Sequence, residues 1–506
     1  MAVKKGSIFR GALLLTGSDL LLRLMGIGFN AFLAGRIGAA GLGLLQLISS
    51  MGFFALILGS SGVRVAAMCL TAEEFGKKNP EGAYSAVRAC LKYGLTVSSM
   101  VAVGLYFSAP LIAARLLNHT DAATPLRILA VFLPCSCLCG VMGGYFTACG
   151  KLRKMVGVQI GERLFSMGFT VFALMRGSGS STYACSAILL GSSLGAALEF
   201  TLLFFRFLRD TMPFRAKGKL PGMGQRLRKL CLPLALNDYL RAGLNTLEQL
   251  LIPLGLAKYG ASSQAALAAH GTIHAMVFPI LMFPAAILYA LADLLVPELS
   301  RSRAAGRTER IQALTDRCLR MTWLFACTVS GFLFCCAAPL GQRIYGSAEA
   351  GQYLRIFAPM VLMLYLDAIT DGMLKGLLQQ LSCVRYNTFT SGLDVALLFL
   401  LLPRWGIRGY IFSFTVTHGI NLVLSLRRLL KVTGYRLPMG SLLKSLCCLL
   451  IALPAAMLLP ALNSPVKELV CRGGFFLSLL LSLSLLLQAI APKDLHWLTN
   501  KEPRQQ

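Results

Sequence analysis

The sequence predicts an all-α polytopic membrane protein with about fourteen transmembrane helices. The helices form two six-helix lobes in a parallel pseudo-two-fold repeat, followed by two C-terminal helices. Three observations predict this. The chain of 506 residues is 56% hydrophobic and only 14% charged, with a mean hydropathy of +0.68, so it lacks the polar surface a soluble protein of this length needs. Apolar runs of about 18 residues or more recur from end to end. Basic residues collect in alternate loops, as in proteins oriented by their cytosolic positive charge.

In chain order the spans fall near 10–35, 42–70, 89–114, 125–149, 156–176, 182–205, 231–256, 264–296, 320–341, 352–378, 387–403, 407–426, 443–462 and 470–491. The N-terminus, MAVKKGSIFR, looks like a signal n-region. The apolar stretch behind it is longer than the usual h-region of roughly 7–15 residues, so it reads as an uncleaved first span. Spans one and two form a hairpin across the RIGAAGLG turn. Its first leg carries Asp19 and Arg23 near the middle, and its second carries Arg64 in the cytosolic half. A charge at that depth costs about 2.5–3.5 kcal/mol even on a lenient insertion scale, and persists where it faces a partner, a bundle interior or water. The hairpin therefore predicts a polar cavity.

The net charge of +28 raises nucleic-acid binding, but its placement argues against that. Arg206, Arg209, Arg215, Lys217, Lys219, Arg226, Arg228 and Lys229 follow span six, and Arg301, Arg303, Arg307, Arg310, Arg317 and Arg320 follow span eight. The intervening loops carry one or two basic residues each, such as Lys258, or Arg404 and Arg408. The pattern places both termini in the cytosol, in a cell membrane whose anionic lipids the basic face attracts. The sixteen cysteines lie almost entirely in apolar spans, without a CxxC pair or a histidine set for zinc. They read as small packing residues, and no cofactor or metal is expected.

Three stretches recur at nearly constant offset. RIGAAGLGLL (36–45) is echoed by KYGASSQAAL (258–267), LRILA (126–130) by LRIFA (354–358), and GYFTACGK (144–151) by GMLKGLLQ (372–379). With six spans per half, both halves enter the membrane in the same sense, which relates them by an axis along the membrane normal. The predicted organisation is a lobe over 1–208, a cytosolic linker over 209–229, a second lobe over 230–428, and spans thirteen and fourteen with a tail over 429–506.

Charged positions inside the spans mark candidate sites. Asp19 and Arg23 are four apart and share a helix face. They form either a self-neutralised pair or, through Arg23 with Arg64, an anion site suited to phosphate because guanidinium is planar and permanently charged. Arg36 reads as a snorkelling anchor at the outer edge. In span seven Asp238, Arg241, Asn245 and Glu248 fall on one stripe of a Leu-rich helix, and a stripe facing a cavity is favoured over a structural network. His270 and His274, four apart in span eight, are either proton-titrating or packing residues. Span ten carries Asp367, Asp371 and Lys375 on one face, with Asp371 and Lys375 expected to pair. Asp394 stands alone in span eleven, and Glu162–Arg163 lies near the cytosolic end of span five. Pro233, Pro253, Pro279, Pro284, Pro297 and the run Gly59–Gly62 are candidate bends.

The first hairpin, the GGYF…GKLRKMVGVQIGERLFSM passage (143–167) and HGTIHAMVFPILMFPAAILYALADLLVPELSRS (270–302) resemble the stage V sporulation protein B-like polysaccharide flippases. These belong to the multidrug/oligosaccharidyl-lipid/polysaccharide exporter superfamily, which includes the lipid II flippases. The resemblance implies a V-shaped bundle of two six-helix lobes around a cationic cavity for the diphosphate of a polyprenyl-linked sugar. It assigns that group to Arg23 and Arg64. Two departures bear on the strength of the clamp: Asn30 stands where relatives usually carry a second first-span arginine, and Ala39 and Ala40 replace acidic residues often found in the first turn.

The leading expectation is therefore a monomeric flippase, not an enzyme, carrying a lipid-linked oligosaccharide or lipid II-like precursor outward by alternating access. Arg23, Arg64, Asp238, Arg241, Asn245 and Glu248 would bind substrate, and Asp238 and Asp371 would couple an ion. The alternative is a cation-coupled multidrug exporter with Asp238 as its titrating carboxylate. A membrane-embedded transferase would need acid–base or nucleophilic groups on a sizeable loop, which this chain lacks.

Overall fold

A computed structural model describes residues 5–60, 62–77, 79–177, 180–212, 223–437, 439–460 and 464–489, with side chains outside 5–16, 229–230 and 232–234. Residues 213–222 of the basic linker, the side chains of Lys229 and Pro233, and the tail from 490 lie outside the described residues or side chains. Every regular element described is helical. In order these are α1 (Lys5–Ser60), α2 (Val63–Gly76), α3 (Pro80–Arg115), α4 (Ala123–Ala148), α5 (Leu152–Arg176), α6 (Ser181–Thr211), α7 (Met223–Tyr259), α8 (Ser263–Gly271), α9 (Phe278–Met282), α10 (Ala285–Ala304), α11 (Thr308–Cys335), α12 (Ala337–Tyr345), α13 (Ala348–Phe357), α14 (Val361–Gly376), α15 (Gln380–Trp405), α16 (Ile407–Thr433), α17 (Met439–Met457) and α18 (Pro465–Leu486). Among the described residues, eleven helical stretches are long and apolar enough to cross a membrane. The long helices α5, α7 and α10, interrupted by charged and polar side chains, are not among them. The chain is a multi-pass membrane protein.

The helix breaks follow residue chemistry. Gly38 (φ 68°, ψ 177°) is the one non-helical residue inside α1, and Gly62 (φ 70°) separates α1 from α2, a backbone region that costs side-chain-bearing residues dearly. Asn79 caps α3 by accepting from the Gly82 amide at 3.0 Å, with Pro80 opening the helix. Span eight is broken as its prolines predict: Pro279 sits in the first turn of α9 and Pro284 caps α10. Pro253 and Pro297 are absorbed within α7 and α10.

The internal repeat is visible in the backbone. Residues of positive φ recur in matched places: Asn118 (54°) before α4 and Gly346 (63°) before α13, then Gly150 (69°) after α4 and Leu378 (57°) after α14. Both steps are 228 residues, 118 to 346 and 150 to 378. Gly38 and Gly260 (113°) mark the corresponding turns nearer the start of each half.

Two compact units divide the chain. The first takes residues up to Met25, Arg36–Gly271 and Leu398–Gly406. Its core packs Val63, Ala67, Cys90, Val141, Phe146 and Phe207, with Tyr145 and Phe207 edge to face at 4.9 Å. The second takes Gly26–Gly35, Thr272–Leu397 and residues from Ile407 on. There Leu299, Leu319, Ile369, Met373 and Leu429 form one core. Cys327, Cys335, Cys336, Cys448, Phe476 and Leu480 form another, which docks α17 and α18 onto α11. All sixteen cysteines are free thiols and most are buried, as packing residues should be.

Candidate functional site

Arg23, Arg64, Asp238, Arg241, Asn245 and Glu248 all fall in the first unit, and Asp371 falls in the second. The Asp19–Arg23 pair is formed, with Nε 2.8 Å from Oδ2 and both side chains partly exposed. Arg64 is exposed on α2, two residues beyond the Gly62 break. It has no hydrogen bond or ion pair among the described residues, though its charge acts on the Glu199 carboxyl of α6. Its backbone is set by close approach of α4. A Cβ on Gly144 would stand 2.5 Å from the Arg64 carbonyl oxygen, so only glycine fits, whereas one on Gly140 would meet the Arg64 Cβ at an ordinary 3.6 Å.

On α7 the stripe is present: Asp238, Arg241 and Asn245 are exposed and Glu248 is half-buried, while Ala235, Ala242, Thr246 and Gln249 are buried. The helix is anchored by the Tyr239 hydroxyl, which donates to the Leu58 carbonyl at 3.1 Å. An exposed line of two charges and an amide on one helix face suits a polar ligand better than a hydrocarbon environment.

The second unit holds a polar ladder that sequence reasoning saw only in part. Asn421 donates to Asp367 (2.9 Å). Asn387 and Ser425 donate to Asp371 (3.2 and 3.5 Å). Ser413 and Thr417 donate to the buried Asp394 (2.6 and 3.2 Å). The expected Asp371–Lys375 ion pair is not formed among the described residues, where the carboxylate instead accepts from Asn387 and Ser425. The α16 partners 413, 417, 421 and 425 lie four apart, a spacing that could have identified them.

His270 is fully buried. A widened π turn over Thr272–Val277 follows it, so the two histidines do not share a regular helix face. His274 packs edge to face on Phe278 at 4.9 Å and lies 3.4 Å from the Tyr410 hydroxyl, which is the packing alternative. Asn30 also has a structural partner: its amide donates to the Ala275 carbonyl at 3.0 Å. Glu162 packs so closely on α6 that a Cβ on Gly195 would lie 2.6 Å from its carboxylate oxygen, one turn from Glu199, which the sequence did not single out. Among the described residues no three His, Cys, Asp or Glu side chains converge as a metal site.

Residues 8–228 match the family described as polysaccharide biosynthesis protein. Stage V sporulation protein B of Bacillus subtilis is 23% identical over 436 residues, 83% of this chain and 82% of its own. The chain is similar to the polysaccharide flippases. Sporulation protein YkvU of the same organism is 21% identical over 366 residues, 70% of this chain and 79% of its own. Among solved structures, the lipid II flippase MurJ in an inward closed conformation aligns with a TM-score of 0.72 at 12% identity, covering 96% of this chain and 99% of that one. An inward-facing multidrug resistance MATE family transporter of the MOP superfamily aligns at 0.65 and 13% identity, covering 82% and 96%. This polysaccharide flippase-like chain therefore has the fold shared by the MOP-superfamily membrane transporters.

Proposed function

We propose that the protein translocates a polyprenyl-diphosphate-linked saccharide or cell-wall precursor across the cytoplasmic membrane by alternating access. The observation that carries this reading is Arg64, a guanidinium in a membrane-spanning hairpin with no ion-pair partner among the described residues. Keeping such a charge there costs about 2.5–3.5 kcal/mol, which an anionic ligand can offset. Arg23, already oriented by Asp19, is the second ligand for the diphosphate. The α7 stripe of Asp238, Arg241, Asn245 and Glu248 contacts the sugar, and Asp238 and Asp371 couple an ion. The names of the relatives, stage V sporulation protein B and lipid II flippase, support a lipid-linked saccharide as cargo.

In this reading the chain is a monomer without enzymatic activity and crosses the membrane fourteen times, residues 17–76 counting as two crossings and α5 and α7 as one each. Both termini are cytosolic and the basic face rests on anionic lipid. The lobes are 1–208 and 230–428, joined by the linker 209–229, with 429–506 appended. The test is movement of a labelled lipid-linked oligosaccharide between leaflets of proteoliposomes. Protein-dependent movement is the expected result, and no movement alongside efflux of cationic drugs would replace the proposal. A cation-coupled drug exporter is the second reading, favoured by the exposed carboxylate of Asp238 and the MATE-like fold. Drug efflux that collapses in Asp238→Asn would establish it.

A further inference from the structure

Two arginines outside the proposed transport site repeat one arrangement. Arg127, in the first turns of α4, holds its guanidinium 5.3 Å from the centre of the Tyr106 ring on α3. Arg355, in α13, sits 5.8 Å from the Phe334 ring on α11. Both partners are displaced by the same 228 residues, 127 to 355 and 106 to 334. That is the offset of the LRILA and LRIFA echoes and of the positive-φ residues around them.

An apolar groove reaches the Tyr106 ring that Arg127 covers, and another begins at Ile356, next to Arg355 in the chain. The first, about 270 Å³, is lined by Ala102, Val103, Phe107, Val131 and Pro134. The second, about 400 Å³, is lined by Ile356, Pro359, Met360, Leu362 and Leu422. Val131 and Pro134 have Pro359 and Leu362 as counterparts at the same offset, but the first groove is completed by α3, Tyr106 included, and the second by Trp323 of α11 and by Thr415 and Leu422 of α16. Their volumes approach the roughly 300–1,000 Å³ of small-ligand pockets. Neither arginine has an ion-pair partner among the described residues.

A snorkelling anchor needs only a long basic side chain at the interface. It requires neither an aromatic one span earlier nor a groove below. A guanidinium held over a ring within about 6 Å is fixed in plane, and its N–H edge remains free to fork onto phosphate oxygens. A phosphate at the membrane edge with an apolar slot beside it describes one ligand class.

We propose that these are two anionic-phospholipid sites, one in each half of the chain. In each, the arginine takes the headgroup phosphate of a bilayer glycerophospholipid and the groove takes an acyl chain. By the positive-inside reading, both sites lie at the outer leaflet.

Native mass spectrometry of the full chain with phosphatidylglycerol tests the proposal. Wild type should retain two lipids through detergent stripping, Arg127→Gln and Arg355→Gln one each, and the double variant none. Arg176→Gln should retain both, because among the described residues Arg176 stacks on Phe172 of its own helix, at 4.4 Å. Melting temperatures in phosphatidylcholine, expected to match wild type, separate lipid loss from misfolding. Two lipids on the double variant would overturn the proposal. So would equal, arginine-independent retention of phosphatidylcholine, or displacement of both lipids by a polyprenyl diphosphate.

Discussion

The α2–α4 contact allows three neighbouring glycines to be set against one another. Alanine at 144 puts a Cβ 2.5 Å from the Arg64 carbonyl oxygen and 3.1 Å from both the Ala67 Cβ and the Met68 amide nitrogen. Those are backbone and near-backbone atoms, so no rotamer change relieves the clash. Restoring a contact of roughly 3.5 Å moves α2 away from α4 by about 1 Å and carries Arg64 with it. Overpacking of this kind costs about 1–3 kcal/mol. At 140 the new Cβ meets only the Arg64 Cβ at 3.6 Å, and at 143 only the Met155 sulfur at 3.8 Å, so both alanines should be nearly neutral. The assay is thermal unfolding in one detergent together with transport of labelled lipid-linked oligosaccharide in proteoliposomes. Gly144→Ala should lower both, and Gly140→Ala and Gly143→Ala neither. Equal effects at 140 and 144, or none at 144, would refute the argument that Gly144 positions Arg64.

The remaining predictions address other parts of the molecule. Asp394→Ala removes the 2.6 Å acceptor of the buried Ser413 hydroxyl, whereas Thr417 keeps the Ser413 carbonyl at 2.8 Å, and should destabilise by about 1–3 kcal/mol, read in the same thermal scan. Leu378→Gly should raise the melting temperature: it removes a left-handed strain of about 1–2 kcal/mol at a position whose repeat counterpart is Gly150, against a smaller loss of chain entropy. His274→Phe should leave the pH profile of transport unchanged, because His274 sits in an aromatic cluster; a shifted profile would reinstate a titrating role. Asp371→Asn should weaken dependence of transport on an imposed ion gradient while leaving substrate binding intact.

Hydropathy and charge asymmetry made the fold legible, since a helix crossing hydrocarbon must be apolar along most of its length. The α7 stripe and the Asp19–Arg23 pair followed from helical periodicity alone. Asp371 shows where periodicity stops: Lys375 is a turn away on its own helix, but donors from α15 and α16 reach the carboxylate instead. Such cross-helix choices depend on helix rotation, which spacing within one span does not encode. For the histidine pair, spacing left titration and packing both open, because it does not encode the π turn that follows His270. Gly144 was legible as part of a motif, but its role needed the approach of α2. The repeat was underestimated by sequence, because positive-φ positions are filled by Asn118 and Gly346, or by Gly150 and Leu378, where backbone geometry persists and residue identity does not.

The central claim is that the two guanidiniums of the first hairpin recognise a diphosphate. Affinity for a polyprenyl diphosphate and its monophosphate, titrated against wild type and the Arg23→Gln/Arg64→Gln double variant, tests it directly. At unchanged melting temperature, the double variant should lose at least about tenfold in diphosphate affinity, about 1.4 kcal/mol, together with its preference over the monophosphate. A double variant that binds the diphosphate as tightly as wild type would contradict the account.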